Sequence, residues 1–223
     1  DVSDIFYNYF FAGNYMDIGG ENGDDASICN IHNENTTACL QMYQSLNQFF
    51  SIEAKEADYD TVLQEFIDGR TLFTVVTTDA IARLEAAKAD GSLQGEYGMA
   101  MLPDVSADLK SRGLSVTNGV IVNGYGHHKE DANAFASYLT GTIGADFYDR
   151  TGKLTAHKNV SYENDKPALA MQAYEKSVSL PKIMQVSNFW VQLERTLTGI
   201  WEGEDADQAL QSLQEQMDVQ LQK

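Results

Sequence analysis

The chain has 223 residues, with 33 acidic against 15 basic side chains and a formal net charge of −18. That charge argues against nucleic acid, whose phosphates need clustered Lys and Arg, and against an anionic membrane surface; its plain consequence is solubility. The length allows one or two domains with a sizeable core, and no run of eighteen or more apolar residues offers a membrane span.

Asp1-Val2-Ser3-Asp4 has neither the basic nor the apolar region of a signal peptide. The expectation is a removed leader or a piece of a longer chain. Residues 4 to 12 are dense in aromatics, and periodicity leaves helix and strand both open. Residues 13 to 36 carry Gly19-Gly20 and Asn22-Gly23, which suits a loop or hairpin. Cys29 lies within that polar, turn-rich stretch and Cys39 just beyond it, without CxxC spacing. A disulfide in a secreted chain and two free thiols in a cytosolic one both remain open. Thr36 or Thr37 is placed to cap a helix striped by Cys39, Met42, Tyr43, Leu46, Phe49 and Phe50. Asp60 is placed to cap the next, with Val62, Leu63, Phe66 and Ile67 buried and Gly69 as its stop.

Leu72 to Val76 is nearly all apolar, as a strand buried on both faces of a parallel sheet would be. Thr78 or Asp79 precedes a helix through Ile81, Leu84 and Ala87, stopped by Gly91. Tyr97 to Leu102 reads as a strand closed by Pro103, residues 104 to 117 as surface loop, and Gly119 to Asn123 as another buried strand. Ala132, Phe135, Ala136 and Leu139 stripe a helix ended by Gly141, and Thr142 opens a short helix closing at Gly152. After a polar linker, Pro167 suits a first helical turn. Ser187 stands where an N-cap belongs, before a stripe of Trp190, Leu193, Leu197 and Trp201. Asp205 with Gln208 forms an acidic capping box ahead of a stripe of Ala206, Ala209, Leu210, Leu213, Met217 and Leu221. Strands alternating with helices predict α/β architecture with a mainly parallel sheet.

No GxSxG, HExxH, P-loop or GxGxxG is present. His127-His128 is the sole histidine pair, and neighbouring side chains point apart, so no metal is expected. No cofactor is expected, and nothing marks two carboxylates as catalytic partners. The chain reads as a binding protein and not as an enzyme. Aromatic faces beside amides and carboxylates suit sugars, which offer C–H patches next to hydroxyls.

Four stretches resemble, in order, the extracellular solute-binding proteins of carbohydrate ABC importers, the maltose-binding-protein-like group. They are Phe66-Ile67-Asp68-Gly69-Arg70 with Leu72 to Val76; Tyr97-Gly98-Met99-Ala100-Met101-Leu102-Pro103; Asn118-Gly119-Val120-Ile121-Val122 leading to Lys129 and Tyr138-Leu139-Thr140; and Pro181 through Ser187-x-Phe189-Trp190 to Gly203-Glu204-Asp205-Ala206-Asp207. The resemblance implies a periplasmic-binding-protein-like type II fold, represented here by its C-terminal portion. It divides the chain into a C-terminal-lobe segment (1–78), a segment returning to the N-terminal lobe (79–138) and C-terminal-lobe helices (139–223). It implies a carbohydrate ligand held between two lobes, delivery to ABC permease subunits, and an extracellular or periplasmic lipoprotein. It favours the Cys29–Cys39 disulfide.

Its site positions fall on Trp190, Tyr7, Tyr9, Asp79, Asn118 and Gly119. Each has a plainer reading as well: Trp190 and the tyrosines as core, Asp79 as a helix cap, Asn118-Gly119 as a turn. Where a member of the family carries Arg one turn after the Trp, this chain has Glu194, with Arg195 one step later. Most of the first lobe has no counterpart, so the unpaired strand edges are expected to favour a dimer or domain swap. A carbohydrate-active hydrolase fragment and a carrier of a non-sugar solute are the alternatives.

Overall fold

The structure is a computed structural model; it describes residues 4–50, 58–143, 147–148, 151–157, 160–162 and 165–221. The aromatic opening is helical: α1 (Ile5–Asn8) runs into a 3-10 turn at Tyr9–Phe11. The Gly-rich stretch forms a hairpin whose strands β1 (Asp17–Ile18) and β2 (Cys29–Asn30) pair antiparallel. Next come α2 (Glu34–Phe50), α3 (Tyr59–Ile67) and α4 (Ala80–Asp90). Then follow β3 (Leu114–Ser115), α5 (Lys129–Ser137), α6 (Asp165–Glu175) and β4 (Val178–Ser179). A 3-10 turn at Met184–Asn188 leads into α7 (Phe189–Trp201) and α8 (Ala206–Leu221).

The helix ends follow capping chemistry, at positions shifted from the predicted ones. Asn33, not Thr36 or Thr37, accepts the backbone N–H of Thr36 at 3.0 Å, and the helix starts accordingly earlier. Asp58, not Asp60, accepts from the Thr61 N–H at 2.8 Å. Asp79 precedes α4 with helical dihedrals and makes no capping bond; its carboxylate takes a hydrogen bond from the Thr77 hydroxyl. Ser187 lies inside the 3-10 turn, so α7 begins at Phe189 without a side-chain cap. Asp205 does cap α8, accepting from the Gln208 N–H at 2.9 Å. Gly91 takes a left-handed φ of 82° and closes α4, as predicted.

The main core joins the two ends of the chain. Tyr9, Ile31, Cys39, Leu40 and Tyr43 from the first fifty residues pack with Phe189, Leu193, Leu197, Leu210, Leu213 and Met217 from the last thirty-five. A second, smaller cluster holds α3 and α4 together through Leu63, Ile67, Ala80, Leu84 and Tyr97. Lys166 ties α6 to α4: its ammonium sits 2.7 Å from the Glu85 carboxylate and 4.0 Å from the centre of the Tyr97 ring. Hydrogen bonds from Lys166, and then from Tyr97, hold the Glu85 carboxyl below the usual carboxylate range. Burial, with the Glu85 carboxylate second, pushes the Tyr97 phenol up.

Three predicted strands differ from expectation. Leu72–Val76, Tyr97–Leu102 and Gly119–Asn123 form no strand and join no ladder among the described residues. Leu72 and Phe73 are 83% and 90% exposed, and Ile121 is 93% exposed. A strand is buried on both faces only when neighbouring strands and covering layers exist; among the described residues no strand pairs with these segments, and only Tyr97, Val76 and Met99 of them pack against the second cluster. The parallel pairing that does form is two residues long, β3 against β4, in a stretch read as loop.

The expected disulfide is not formed. Cys29 and Cys39 are both free thiols. Cys39 is fully buried in the main core on α2, and burial pushes its thiol up to about 11. The Cys29 sulfur turns instead to Gln214 on α8, whose amide Nε2 approaches it to 3.4 Å. The two thiols are therefore held by different surroundings.

Candidate functional site

A broad groove of about 2140 Å³ opens between the second cluster and the middle of the chain. Its walls include residues 71–79, 96–104 and 111–118, with the C-terminal half of α6. Polar groups reach it from several of these. Arg112 donates from Nε to the Lys176 carbonyl at 3.0 Å, and the Thr117 and Tyr174 hydroxyls meet at 2.5 Å. Lys110 sits 2.8 Å from Asp104, and its hydrogen bond holds that carboxyl below the usual range.

The predicted site residues fall in two places. Asp79 and Asn118 both line the groove, and Gly119 follows Asn118 on the same exposed segment. Trp190 and Tyr9 lie elsewhere, against the main core. Trp190 is half-buried, with its ring edge-on to Tyr9 (centroids 6.0 Å apart) and to Phe189 (4.9 Å). Tyr9 is 4% exposed, so its ring serves packing here, and burial pushes its phenol up. The Tyr7 side chain lies outside the described ones.

The partly exposed Trp190 face and the polar rim of the groove are each suited to a neutral, hydroxyl-rich ligand. Among the described residues no group of three or more His, Cys, Asp or Glu side chains gathers, and no described helix is long and apolar enough to cross a membrane. The groove contributions of Arg112, Thr117 and Tyr174 were missed in the sequence. They come from a surface loop and a helix end with no local pattern, and only the fold brings them together.

No family model and no curated protein sequence matches the chain. Solved structures do. An extracellular solute-binding protein from Staphylococcus aureus, in complex with maltose, superposes with a TM-score of 0.77 at 17% identity, covering 100% of this chain and 58% of the other. The maltose-binding periplasmic protein MalE from Listeria monocytogenes, also with maltose, gives 0.77 at 16% identity, covering 97% and 59%. An ABC transporter solute-binding protein from Thermotoga lettingae, bound with alpha-D-tagatose, gives 0.70 at 17%, covering 97% and 56%. Likeness at this identity is likeness of fold. The chain thus carries the helix-rich α/β fold of the ABC-transporter solute-binding proteins, over 58% of the length of the Staphylococcus aureus protein.

Proposed function

We propose that the chain is the C-terminal portion of an extracellular, lipid-anchored or periplasmic binding protein that captures a sugar or oligosaccharide and hands it to an ABC permease. The observation that carries this reading is the superposition of the whole chain on a solute-binding protein that holds maltose. Trp190 supplies a stacking face, with Tyr7 beside it in the sequence-based reading, while Asp79, Asn118 and the backbone at Gly119, which lie apart from it along the groove, supply polar contacts; Tyr9 stays in the core. Binding draws two lobes together and breaks no bond; the free energy of binding shifts an open–closed equilibrium. The isolated chain lacks the opposing lobe and binds weakly.

The test is calorimetric titration of maltose and tagatose into the polypeptide of the complete reading frame. Saturable binding without new reducing ends is expected. Trp190→Ala should weaken it at least about tenfold, equivalent to about 1.4 kcal/mol. Release of reducing ends would mark a hydrolase instead. A flat response to both sugars, and to a wider panel of neutral saccharides, would remove the sugar reading.

A further inference from the structure

Asn-Gly occurs at three places in the chain: Asn22-Gly23, Asn118-Gly119 and Asn123-Gly124. The amide carbon of an asparagine is an electrophile, and the backbone nitrogen of the next residue can close a ring on it. Glycine favours this, because without a Cβ its nitrogen approaches closely and its dihedrals are free. The three pairs differ in how firmly the fold holds the reacting groups. The Gly23 N–H donates to the Gly20 carbonyl at 3.0 Å, and the Gly23 carbonyl accepts from the Lys182 N–H at 2.5 Å. Gly23 also has a left-handed φ of 70°, and a Cβ added there would stand 3.4 Å from Pro181 Cα. That pair is fixed in the hairpin. Asn123 is held more lightly: its Oδ1 accepts the Tyr125 N–H at 3.0 Å, and its carbonyl accepts the Gly126 N–H at 3.1 Å. Asn118 and Gly119 are both exposed, and among the described residues no hydrogen bond holds the Asn118 side chain or the Gly119 N–H. A Cβ added at Gly119 would meet nothing within 4 Å.

We propose that Asn118-Gly119 is a self-modifying site, at which the chain deamidates ahead of its other two Asn-Gly pairs. The Gly119 N–H gives its proton to hydroxide, and the nitrogen attacks Asn118 Cγ. The N–Cγ bond forms, the Cγ–Nδ2 bond breaks, and the amide nitrogen leaves as ammonia with a proton from water. Water then opens the cyclic imide. Cleavage at Cγ gives aspartate; cleavage at the main-chain carbonyl gives isoaspartate, whose backbone runs through Cβ and Cγ. Nothing is oxidised or reduced. Asn118 lines the groove, so the groove wall exchanges an amide, which donates and accepts, for a carboxylate that only accepts. In the isoaspartate form the main chain there is also longer by one carbon. The reaction needs only the chain and water, so it stands or falls apart from the sugar reading.

Peptide mapping by mass spectrometry tests it, on the protein aged in mildly alkaline buffer at body temperature. Asn118 should convert fastest, Asn123 next and Asn22 slowest. Asn118 should lead Asn22 by at least about tenfold, equivalent to about 1.4 kcal/mol of barrier. The same incubation in guanidinium chloride removes local protection, and the three rates should converge there. Aspartate and isoaspartate should both appear at position 118. Gly119→Ala fits the open space at that position, and it should slow conversion of Asn118 by about tenfold while leaving the other two pairs unchanged. Four results overturn the proposal: Asn22 or Asn123 leading in buffer; three rates in buffer equal to those in guanidinium chloride; aspartate at 118 without isoaspartate; and Gly119→Ala converting as fast as the original chain.

Discussion

His32 and Asp207 lie 175 positions apart and meet at 2.8 Å. Asp207 also accepts from the Thr37 hydroxyl at 3.3 Å. The His32 hydrogen bond, chiefly, holds the Asp207 carboxyl below its ordinary range. A carboxyl lowered in the folded state stabilises the fold above its unfolded pKa of about 3.9, and that contribution is lost as pH falls through the folded value. Asp207→Asn should therefore lower the urea midpoint at pH 5, by a deficit that is smaller at pH 3. An unchanged gap between wild type and variant at the two pH values would mean that the contact does not select the charged carboxylate. The neighbouring Gln214 shows the same long-range logic. Its Oε1 accepts the Ile31 N–H at 2.6 Å, and its Nε2 donates to the Cys29 carbonyl at 3.1 Å. Neither contact leaves a local trace in the sequence, since a Gln on a helix is ordinarily a solvated one.

The helix pair α7–α8 is where the sequence was most legible. Its stripes recur at helical spacing, and Leu193, Leu197, Leu210, Leu213 and Met217 are all buried. Periodicity placed the α7 face slightly off centre: Phe189 and Ile200 are fully buried, whereas Trp190, put on the stripe, is only half-buried. Leu210→Ala should cost about 2–5 kcal/mol, because a fully buried leucine leaves a cavity that helices on both sides must span. Chemical denaturation with an unchanged m-value would show it, and a loss below 1 kcal/mol would mean that the pair repacks. The apolar runs at 72–76 and 119–123, read as buried strands, are unpaired and largely exposed among the described residues. A run of β-branched residues specifies backbone shape locally, but burial depends on a partner strand that no local pattern reveals. The groove is illegible for a related reason. Asp79 and Asn118 stood out as segment ends, while Arg112 and Tyr174 reach it only once β3 pairs with β4.

At the scale of the molecule the described residues form two apolar clusters. Both tryptophans, Trp190 and Trp201, pack with the main one, whereas helices of both contribute to far-UV circular dichroism. The smaller cluster has fewer buried side chains and an exposed apolar margin, which puts it at the low-stability end. Tryptophan fluorescence should accordingly report a higher urea midpoint than circular dichroism at 222 nm, the helical band; coincident curves would establish one cooperative unit. The main cluster also has a consequence for synthesis. Its two halves are made far apart in time, with contacts such as Thr37 to Asp207 spanning 170 positions. At ribosomal speeds of about 5–20 residues per second, the opening hairpin and α2 wait on the order of ten seconds for the helices that cover them. Throughout that interval Tyr43, Leu40 and Ile31 are bare on the nascent chain, and a chaperone that holds apolar segments has its natural client there.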